Sequence, residues 1–237
     1  MKPPEVYRFK TSAELAEAAA RQWLALLTKP PSAPQGVALL GGRIAGPLFA
    51  AFARRVSQQK ASLAHAHFFW ADERCVPPSS PDSNFALAER SLFRPLGMPP
   101  SQYHRVPGEE PPPRAAQLAT DELRRIAPLN EQGQPVLDLV LLGMGEDGHV
   151  ASLFPGESEG QIRDAAVYRP VTAAKPPPQR ITLGYATLAA AREVWVLVAG
   201  AGKAEALSRA LEGDVSLPLG RLLAMRSHTQ VYTDSNL

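Results

Sequence analysis

The chain has 237 residues, of which 45% are hydrophobic and 20% charged, and its formal net charge is +2 at pH 7. These values are typical of a soluble globular protein, and they exclude an extended basic surface for nucleic acid or anionic lipid. Cys75 is the single cysteine, which excludes an intrachain disulfide and a cysteine-rich metal site.

The N-terminal segment is interrupted by prolines and lacks the apolar stretch of a signal peptide. No run in the sequence approaches the roughly 18 apolar residues that suggest a membrane helix. We therefore expect a cytoplasmic protein with no membrane partner and no nucleic-acid partner.

The sequence pattern in the first half of the chain predicts alternating helices and strands. Thr11 and Glu14 have the spacing of a capping box, which predicts the start of a first helix, and Pro30 and Pro31 are expected to end it. The elements predicted after it are strands at residues 37–40 and 67–70, helices at 47–58 and 84–92, and a polar loop at 71–83 before the second of these helices.

The second half of the chain begins with a proline-rich stretch. Residues 94–113 are predicted to form a long wrapped loop with a short strand at 103–106. The strongest strand candidate spans residues 137–142 and ends in a glycine-rich turn. The remaining predicted elements are helices at 114–126, 187–192 and 202–212 and strands at 181–183, 194–198 and 229–233.

Near-continuous apolar strands that alternate with helices predict an α/β fold with a mainly parallel sheet and helices on both faces. The prolines fall between elements and form no long linker, so we expect a single domain over residues 1–237. Ligands bind such sheets at the carboxyl ends of the strands. Three strands end in unusual loops, and these loops would converge on one cleft if their strands are neighbours: residues 41–43, 72–74 and 143–149.

The first of these loops is a glycine pair followed by an arginine. Gly41 and Gly42 can present backbone N–H groups to an anion, together with the next helix N-terminus, and Arg43 adds a positive charge. The alternative is an ordinary tight turn, the commoner use of a glycine pair. The pattern fits neither a dinucleotide fingerprint nor a P-loop, and we expect no cofactor.

The second loop places Asp72, Glu73 and Arg74 directly after an apolar strand. The planar guanidinium of Arg74 suits bidentate binding of a phosphate, whereas the alternative is a solvated loop whose charges satisfy one another. Cys75 has no base near it in the sequence and is expected to be unreactive.

The third loop, within residues 143–156, is the most informative. Asp147 and His149 lie two residues apart among three glycines. Histidine is the side chain best suited to exchange protons near neutral pH, and Asp147 is placed to orient it. Ser83 and Ser152 lack the surroundings of a nucleophile, and no spacing suggests a metal site. The other histidines are expected to be structural or solvated: His65, His67, His104 and His228.

Two further cations complete the candidate site. Arg180 follows a run of prolines and opens a strand, and Lys203 lies at a helix start. A lysine there is mildly unfavourable against the helix dipole, so a nearby anion would explain it. The alternative is that Lys203 points into water.

Together these motifs resemble the glucosamine-6-phosphate isomerase/6-phosphogluconolactonase family. The resemblance implies a modified Rossmann-like fold, hydrolysis of a phosphorylated sugar lactone, no cofactor and no metal. It also implies a monomer or small homo-oligomer with a small sugar-phosphate substrate. The stretches that carry it are residues 41–42, 68–84, 137–156, 175–182 and 200–204.

Glucosamine-6-phosphate deaminases share this fold and several of these motifs. They typically have tyrosine where this chain has Arg74, and a catalytic glutamate where it has Phe154, so the lactonase interpretation is favoured. A non-catalytic sugar-phosphate sensor is a third alternative. Arg43 departs from the family pattern, which has serine or threonine there, so it either replaces a hydroxyl contact with a charge or turns outward.

The lactonase interpretation assigns two roles. His149 acts as general base on water, and Asp147 supports the imidazolium that forms. Binding of the substrate and its phosphate falls to Gly41, Gly42, Arg43, Asp72, Arg74, Arg180 and Lys203.

Overall fold

A computed structural model of the protein describes residues 3–28 and 34–235. In this part of the chain the strands are, in order, β1 (Glu5–Arg8), β2 (Gln35–Leu39), β3 (Ala66–Trp70), β4 (Asp72–Arg74), β5 (Leu139–Gly143), β6 (Tyr168–Thr172), β7 (Gln179–Leu183), β8 (Glu193–Val198) and β9 (Gln230–Thr233).

The α-helices of the same ranges are α1 (Ser12–Leu27), α2 (Ala45–Gln59), α3 (Asn84–Ala88), α4 (Arg94–Leu96), α5 (Pro112–Ile126), α6 (Glu159–Ile162), α7 (Tyr185–Ala190), α8 (Ala204–Leu211) and α9 (Pro218–Ala224). A π-helical turn, Glu89–Phe93, joins α3 to α4, and single 3₁₀ turns form at Pro100–Gln102 and Ala201–Lys203.

Two sheets organise these elements. Six parallel strands form the central sheet in the order β1-β9-β8-β5-β2-β3. The strands β4, β7 and β6 form a smaller antiparallel sheet in that order. The predicted α/β fold with a mainly parallel sheet is therefore confirmed.

The central strands are buried on both faces. In β2, β5 and β8 nearly every residue is buried, and successive side chains of a strand point to opposite faces, so helices must cover both sides. One group of helices contains α1, α2 and α3, and another contains α7, α8 and α9. Trp23 of α1 stacks on Phe52 of α2 with ring centroids 3.8 Å apart, which packs these two helices together.

Several predicted boundaries are wrong. The loop predicted at 71–83 contains β4, because pairing with distant β7 makes its charged residues a strand. The helix predicted at 84–92 runs on to Leu96 through the π-helical turn, and the strand predicted at 103–106 is only a single bridge from Tyr103 to Phe68. The strands β1 and β6 and the helices α6 and α9 have no counterpart among the predicted elements. Pro30 and Pro31 lie outside the described residues, and α1 ends at Leu27.

The proline-rich stretch packs along the outer strand of the central sheet. The backbone N–H of His104 donates to the carbonyl of Phe68 in β3 at 2.8 Å. A Cβ atom on Gly108 would overlap the carbonyl oxygen of Arg74, so this stretch also lies directly against β4. Of the helices described, none is both long and apolar enough to cross a membrane.

Glu73 joins β4 to the start of α3. Its side chain is 2% exposed, and its carboxylate accepts hydrogen bonds from the backbone N–H groups of Asn84 and Phe85, both at 2.8 Å. It also accepts from the N–H of Arg74 at 2.7 Å and the hydroxyl of Ser83 at 3.1 Å. Burial raises the pKa of the Glu73 carboxyl to about 7, although the N–H donors act to lower it.

This raised pKa predicts a dependence of stability on pH. The folded chain keeps a proton on Glu73 between the ordinary pKa of 4.5 and the folded value of about 7, so the stabilisation is complete below 4.5 and is lost as pH rises through 7. We expect the free energy of unfolding of the wild type, relative to Glu73→Gln, to fall by about 2 to 3 kcal/mol between pH 5 and pH 8. Urea unfolding at a series of pH values measures it, and a pH-independent difference would contradict the assignment.

Candidate active site

A cavity of about 120 Å³, open to solvent, lies at the carboxyl ends of the central strands. The strands β8, β5, β2 and β3 are neighbours in that order, so the loops that follow them meet at one edge of the sheet. The β2 loop contributes the glycine pair and Arg43, the β5 loop His149, and the segment after β8 Lys203, while β4 continues from β3. The three loops singled out in the sequence therefore converge on one cleft.

His149 sits in a tight turn that follows β5. The N–H of Gly145 donates to the carbonyl of His149 at 2.9 Å, and the N–H of Gly148 donates to the carbonyl of Gly145 at 3.1 Å. The imidazole folds back over Gly145, where any Cβ atom would overlap the ring and the Asp147 carboxylate. This close approach requires glycine at position 145.

Asp147 fixes the orientation of the imidazole. Nδ1 of His149 and Oδ1 of Asp147 lie 2.5 Å apart, and the same oxygen accepts the backbone N–H of His149 at 3.2 Å. Burial acts to raise the pKa of the Asp147 carboxyl, but the side-chain hydrogen bond from His149, the charge of its imidazole and backbone N–H donors together outweigh burial, and the pKa lies below its ordinary value. An ionised carboxylate keeps the proton on Nδ1, so Nε2 of the neutral ring carries the lone pair that can accept a proton.

The turn is supported from the C-terminal part of the chain. The backbone N–H of Leu219 donates to the carbonyl of Gly148 at 3.1 Å. Gly148 has φ +78°, and the side chain of Leu217 packs directly against its Cα. The segment that leads into α9 therefore holds the turn from outside the cavity.

The ribbon of β4 and β7 forms the opposite wall. Asp72 pairs with Thr182 and Arg74 with Arg180, and residues paired directly across an antiparallel ribbon share a face. Alternation along each strand places all four side chains on one face and Glu73 on the other. Asp72, Arg74 and Arg180 line the cavity.

The two arginines of this wall, which we call the arginine pair, are held by backbone carbonyls. Nη1 of Arg74 donates to the carbonyl of Asp82 at 2.8 Å, and Nε of Arg180 donates to the carbonyl of Pro177 at 3.1 Å. Burial lowers the pKa of the Arg180 guanidinium, and the charge of Arg74 lowers it further. Two like charges on facing strands repel each other, so an anion between them would be stabilised.

Phe154 lies between the turn that carries His149 and the arginine pair. Its ring centroid is 4.9 Å from that of His149, and the guanidinium carbon of Arg180 lies 5.7 Å from the same centroid. Phe154 therefore contacts both the histidine and one arginine.

Lys203 and Arg43 form a second cationic group. Burial lowers the pKa of the Lys203 ammonium, Arg43 lowers it further, and Glu146 and Asp234 oppose them. The Arg43 side chain is 88% exposed, and its Nη2 lies 4.0 Å from Oε1 of Glu146. Of the two alternatives for Arg43, the structure favours an outward side chain that remains at the rim of the cavity.

Asn84 and Ser152 are site residues whose contribution the sequence analysis missed. The hydroxyl of Ser152 donates to Oδ2 of Asp72 at 2.6 Å and is fully buried, which explains why it is no nucleophile. The amide of Asn84 donates to the Asp72 carbonyl at 2.9 Å and occupies the space beside Gly41, where a Cβ atom would overlap it. Neither contact has a local sequence signal, because each joins residues far apart in the chain.

The remaining candidates have structural roles. The hydroxyl of Ser83 caps α3. Burial raises the pKa of the Cys75 thiol, which disfavours a reactive thiolate. His67 and His104 are hydrogen-bonded to each other at 2.9 Å. Across residues 3–28 and 34–235, no group of three or more histidine, cysteine and acidic side chains is arranged to hold a metal ion.

The fold and this cavity define a class of enzymes acting on phosphorylated sugars. The chain belongs to the family described as glucosamine-6-phosphate isomerases/6-phosphogluconolactonase, whose model matches residues 10–232.

Similar proteins are known from several organisms. A 6-phosphogluconolactonase of Streptomyces coelicolor is 34% identical over 221 residues, covering 89% of this chain and 84% of its own. The 6-phosphogluconolactonase of Haemophilus influenzae is 30% identical over 207 residues, covering 85% of each.

Solved structures resemble the fold throughout. The three-dimensional structure of the 6-phosphogluconolactonase from Trypanosoma brucei matches with TM-score 0.87 and 27% identity, covering 98% of this chain and 97% of that one. A monomeric glucosamine-6-phosphate deaminase, 20% identical, matches with TM-score 0.82 over 97% of this chain and 96% of its own. This second likeness concerns the fold alone.

The close approach at Gly145 yields a test of the turn. We expect Gly145→Ala to displace the imidazole and to lower kcat/KM on the enzyme's substrate by about a hundredfold, because a shift of 1 Å in a reacting group has effects of that size. Gly46→Ala is the matched control, since its added Cβ meets only a Leu87 methyl group at 3.7 Å. Normal activity in Gly145→Ala would mean that the observed ring position is not needed.

Proposed function

We propose that this enzyme hydrolyses 6-phospho-D-glucono-1,5-lactone to 6-phospho-D-gluconate, the lactonase step of the oxidative pentose phosphate pathway. The observation that carries the proposal is one cavity containing a carboxylate-oriented histidine and two arginines held by backbone carbonyls. The family and the names of the similar proteins support the same substrate.

His149 acts as the general base. Nε2 takes a proton from a water molecule as the water oxygen attacks the lactone carbonyl, and Asp147 stabilises the imidazolium that results. When the tetrahedral intermediate collapses, the bond from the carbonyl carbon to the ring oxygen breaks, and the imidazolium returns the proton to that oxygen. The product is the open-chain acid, which ionises at neutral pH.

The arginine pair binds the phosphate. Guanidinium groups offer planar donor pairs that match phosphate oxygens, and Arg74 and Arg180 are already fixed by backbone carbonyls. A phosphate dianion between them removes the repulsion of two facing charges. Asp72, on the same wall, offers an acceptor to a sugar hydroxyl.

Positive charge at the other end of the cavity stabilises the carbonyl oxygen. Lys203 follows β8 and Arg74 follows β3, on opposite sides of the β5 turn that carries His149. Lys203 and the N–H groups of Gly41 and Gly42 stabilise the negative charge that develops on the carbonyl oxygen. Arg43 at the rim adds long-range attraction for the anionic substrate.

Phe154 disfavours the deaminase reaction. An aromatic ring 4.9 Å from His149 supplies no carboxylate for proton transfer on an amino sugar.

We place the reaction in the cytoplasm and propose that residues 1–237 form one domain that acts as a monomer or small homo-oligomer.

Removing the general base is the direct test of this mechanism. We expect His149→Ala to lower the enzymatic part of lactone consumption by about 10²–10⁴-fold, since that is the contribution of a positioned base. Lactone consumption is followed with and without enzyme, and the spontaneous rate is subtracted. His228→Ala is the matched control, because His228 is also partly exposed and does not line the cavity.

The alternatives give different outcomes in the same experiment. A deaminase would release ammonia from glucosamine-6-phosphate. A sensor would bind 6-phosphogluconate without accelerating lactone hydrolysis. Full lactonase activity in a folded His149→Ala variant would contradict the general-base assignment while leaving the substrate assignment intact.

The two cationic groups are expected to affect different kinetic constants. Arg180→Gln removes a contact to the phosphate, which is bound equally in the ground state and the transition state, so KM should rise about tenfold or more with a smaller change in kcat. Lys203→Met should mainly lower kcat, because its charge meets an oxyanion that exists only in the transition state. The reverse pattern in steady-state kinetics would exchange the two assignments.

A further inference from the structure

Asp72 shares a wall of the cavity with two arginines and pairs with neither. Its side chain lies on the same face of the ribbon as Arg74 and Arg180, and all three line the cavity. In the described part of the chain, no ion pair within 4.0 Å includes Asp72. Arginine–carboxylate pairs in proteins are frequently bidentate, and Asp72 forms no such pair with the two arginines on its own wall.

Two uncharged donors bind the carboxylate instead. The Ser152 hydroxyl donates to Oδ2 at 2.6 Å, and the Asn84 amide donates to Oδ1 at 3.3 Å. Both donors are buried, with residue exposures of 0% for Ser152 and 3% for Asn84. The short hydrogen bond from Ser152 to a charged acceptor is the stronger of the two.

Ser152 is itself fixed. Its backbone N–H donates to the hydroxyl of Thr182 at 3.1 Å, and Thr182 is the partner of Asp72 across the ribbon. Ser152 also lies three residues after His149 in the chain. Ser152 therefore connects the turn that carries His149 to the β4–β7 wall of the cavity, and its hydroxyl fixes the position of the Asp72 carboxylate.

We propose that Ser152 is a positioning residue that holds the Asp72 carboxylate away from Arg74 and Arg180, so that both guanidiniums stay open to the phosphate of the substrate. This inference rests on the proposed function of the arginine pair. The fixed carboxylate reduces the repulsion between the arginines through space, yet it cannot occupy their donors. Without the Ser152 hydroxyl, Asp72 turns toward the arginines and competes with phosphate.

The first measurement uses Ser152→Ala and inorganic phosphate, a probe with no sugar hydroxyls to contact Asp72. We expect the Kd for phosphate, from ³¹P NMR titration of the full chain, to rise about tenfold, which corresponds to about 1.4 kcal/mol. KM for the lactone should rise by a similar factor, while kcat changes less than about threefold, because phosphate binding is uniform along the reaction.

A second substitution should reverse the defect. In Ser152→Ala/Asp72→Asn the neutral amide cannot neutralise an arginine, so the Kd for phosphate should return to within about threefold of the wild-type value. A serine that served only to pack the loop would give no such recovery. Thr187→Val is the control for stability, since it removes another fully buried hydroxyl, bonded to Gln134 at 2.7 Å, without touching the cavity.

The outcomes separate this inference from the proposed function. Wild-type Kd in Ser152→Ala, or a double variant that binds no better than the single one, overturns the positioning role alone. A wild-type protein that neither binds phosphate nor hydrolyses the lactone overturns the proposed function. If Ser152→Ala does not fold, Asp72→Glu tests the same positioning role, because its longer side chain places the carboxylate beyond the Ser152 hydroxyl. An unchanged Kd for phosphate in Asp72→Glu would also overturn the positioning role of Ser152.

Discussion

The cationic wall of the cavity depends on the buried contact between Glu73 and the first turn of α3. A three-residue strand of charged side chains has little tendency to stay in a sheet, and β4 is held both by its pairing with β7 and by the Glu73 carboxyl, which accepts two N–H groups of that helix. Strand alternation then turns Asp72 and Arg74 toward the cavity. The buried Glu73 carboxyl on one face of β4 thus helps to fix the positions of Asp72 and Arg74 on the other face.

The loops of the site could be predicted from the sequence because parallel strands end at a common edge, and glycines or charges directly after an apolar strand mark that edge. The strand β4 could not be predicted, since only its pairing with β7, about a hundred residues later, makes the loop after β3 a strand. The hydrogen bond from Ser152 to Asp72 was equally invisible, because it joins side chains 80 positions apart.

Uncharged partners hold most of the charged groups in this cavity. Backbone carbonyls fix Arg74 and Arg180, and a hydroxyl and an amide bind Asp72. Among the pocket-lining residues that the structure describes, ion pairing is confined to Asp147 with His149 and to the exposed rim. Because uncharged partners leave the charge intact, the cavity stays attractive to an anionic sugar and still has fixed geometry.

The segment around the start of α9 that supports the histidine turn is synthesised after the turn itself. Every side chain assigned to the site has been synthesised once Lys203 has been added, yet the groups that hold Gly148 in place, at Leu217 and Leu219, are made later. The nascent chain therefore contains every side chain assigned to the site before the contacts that support the His149 turn can form. A chain that ends before Leu217 therefore carries these residues without the contacts that hold the histidine turn.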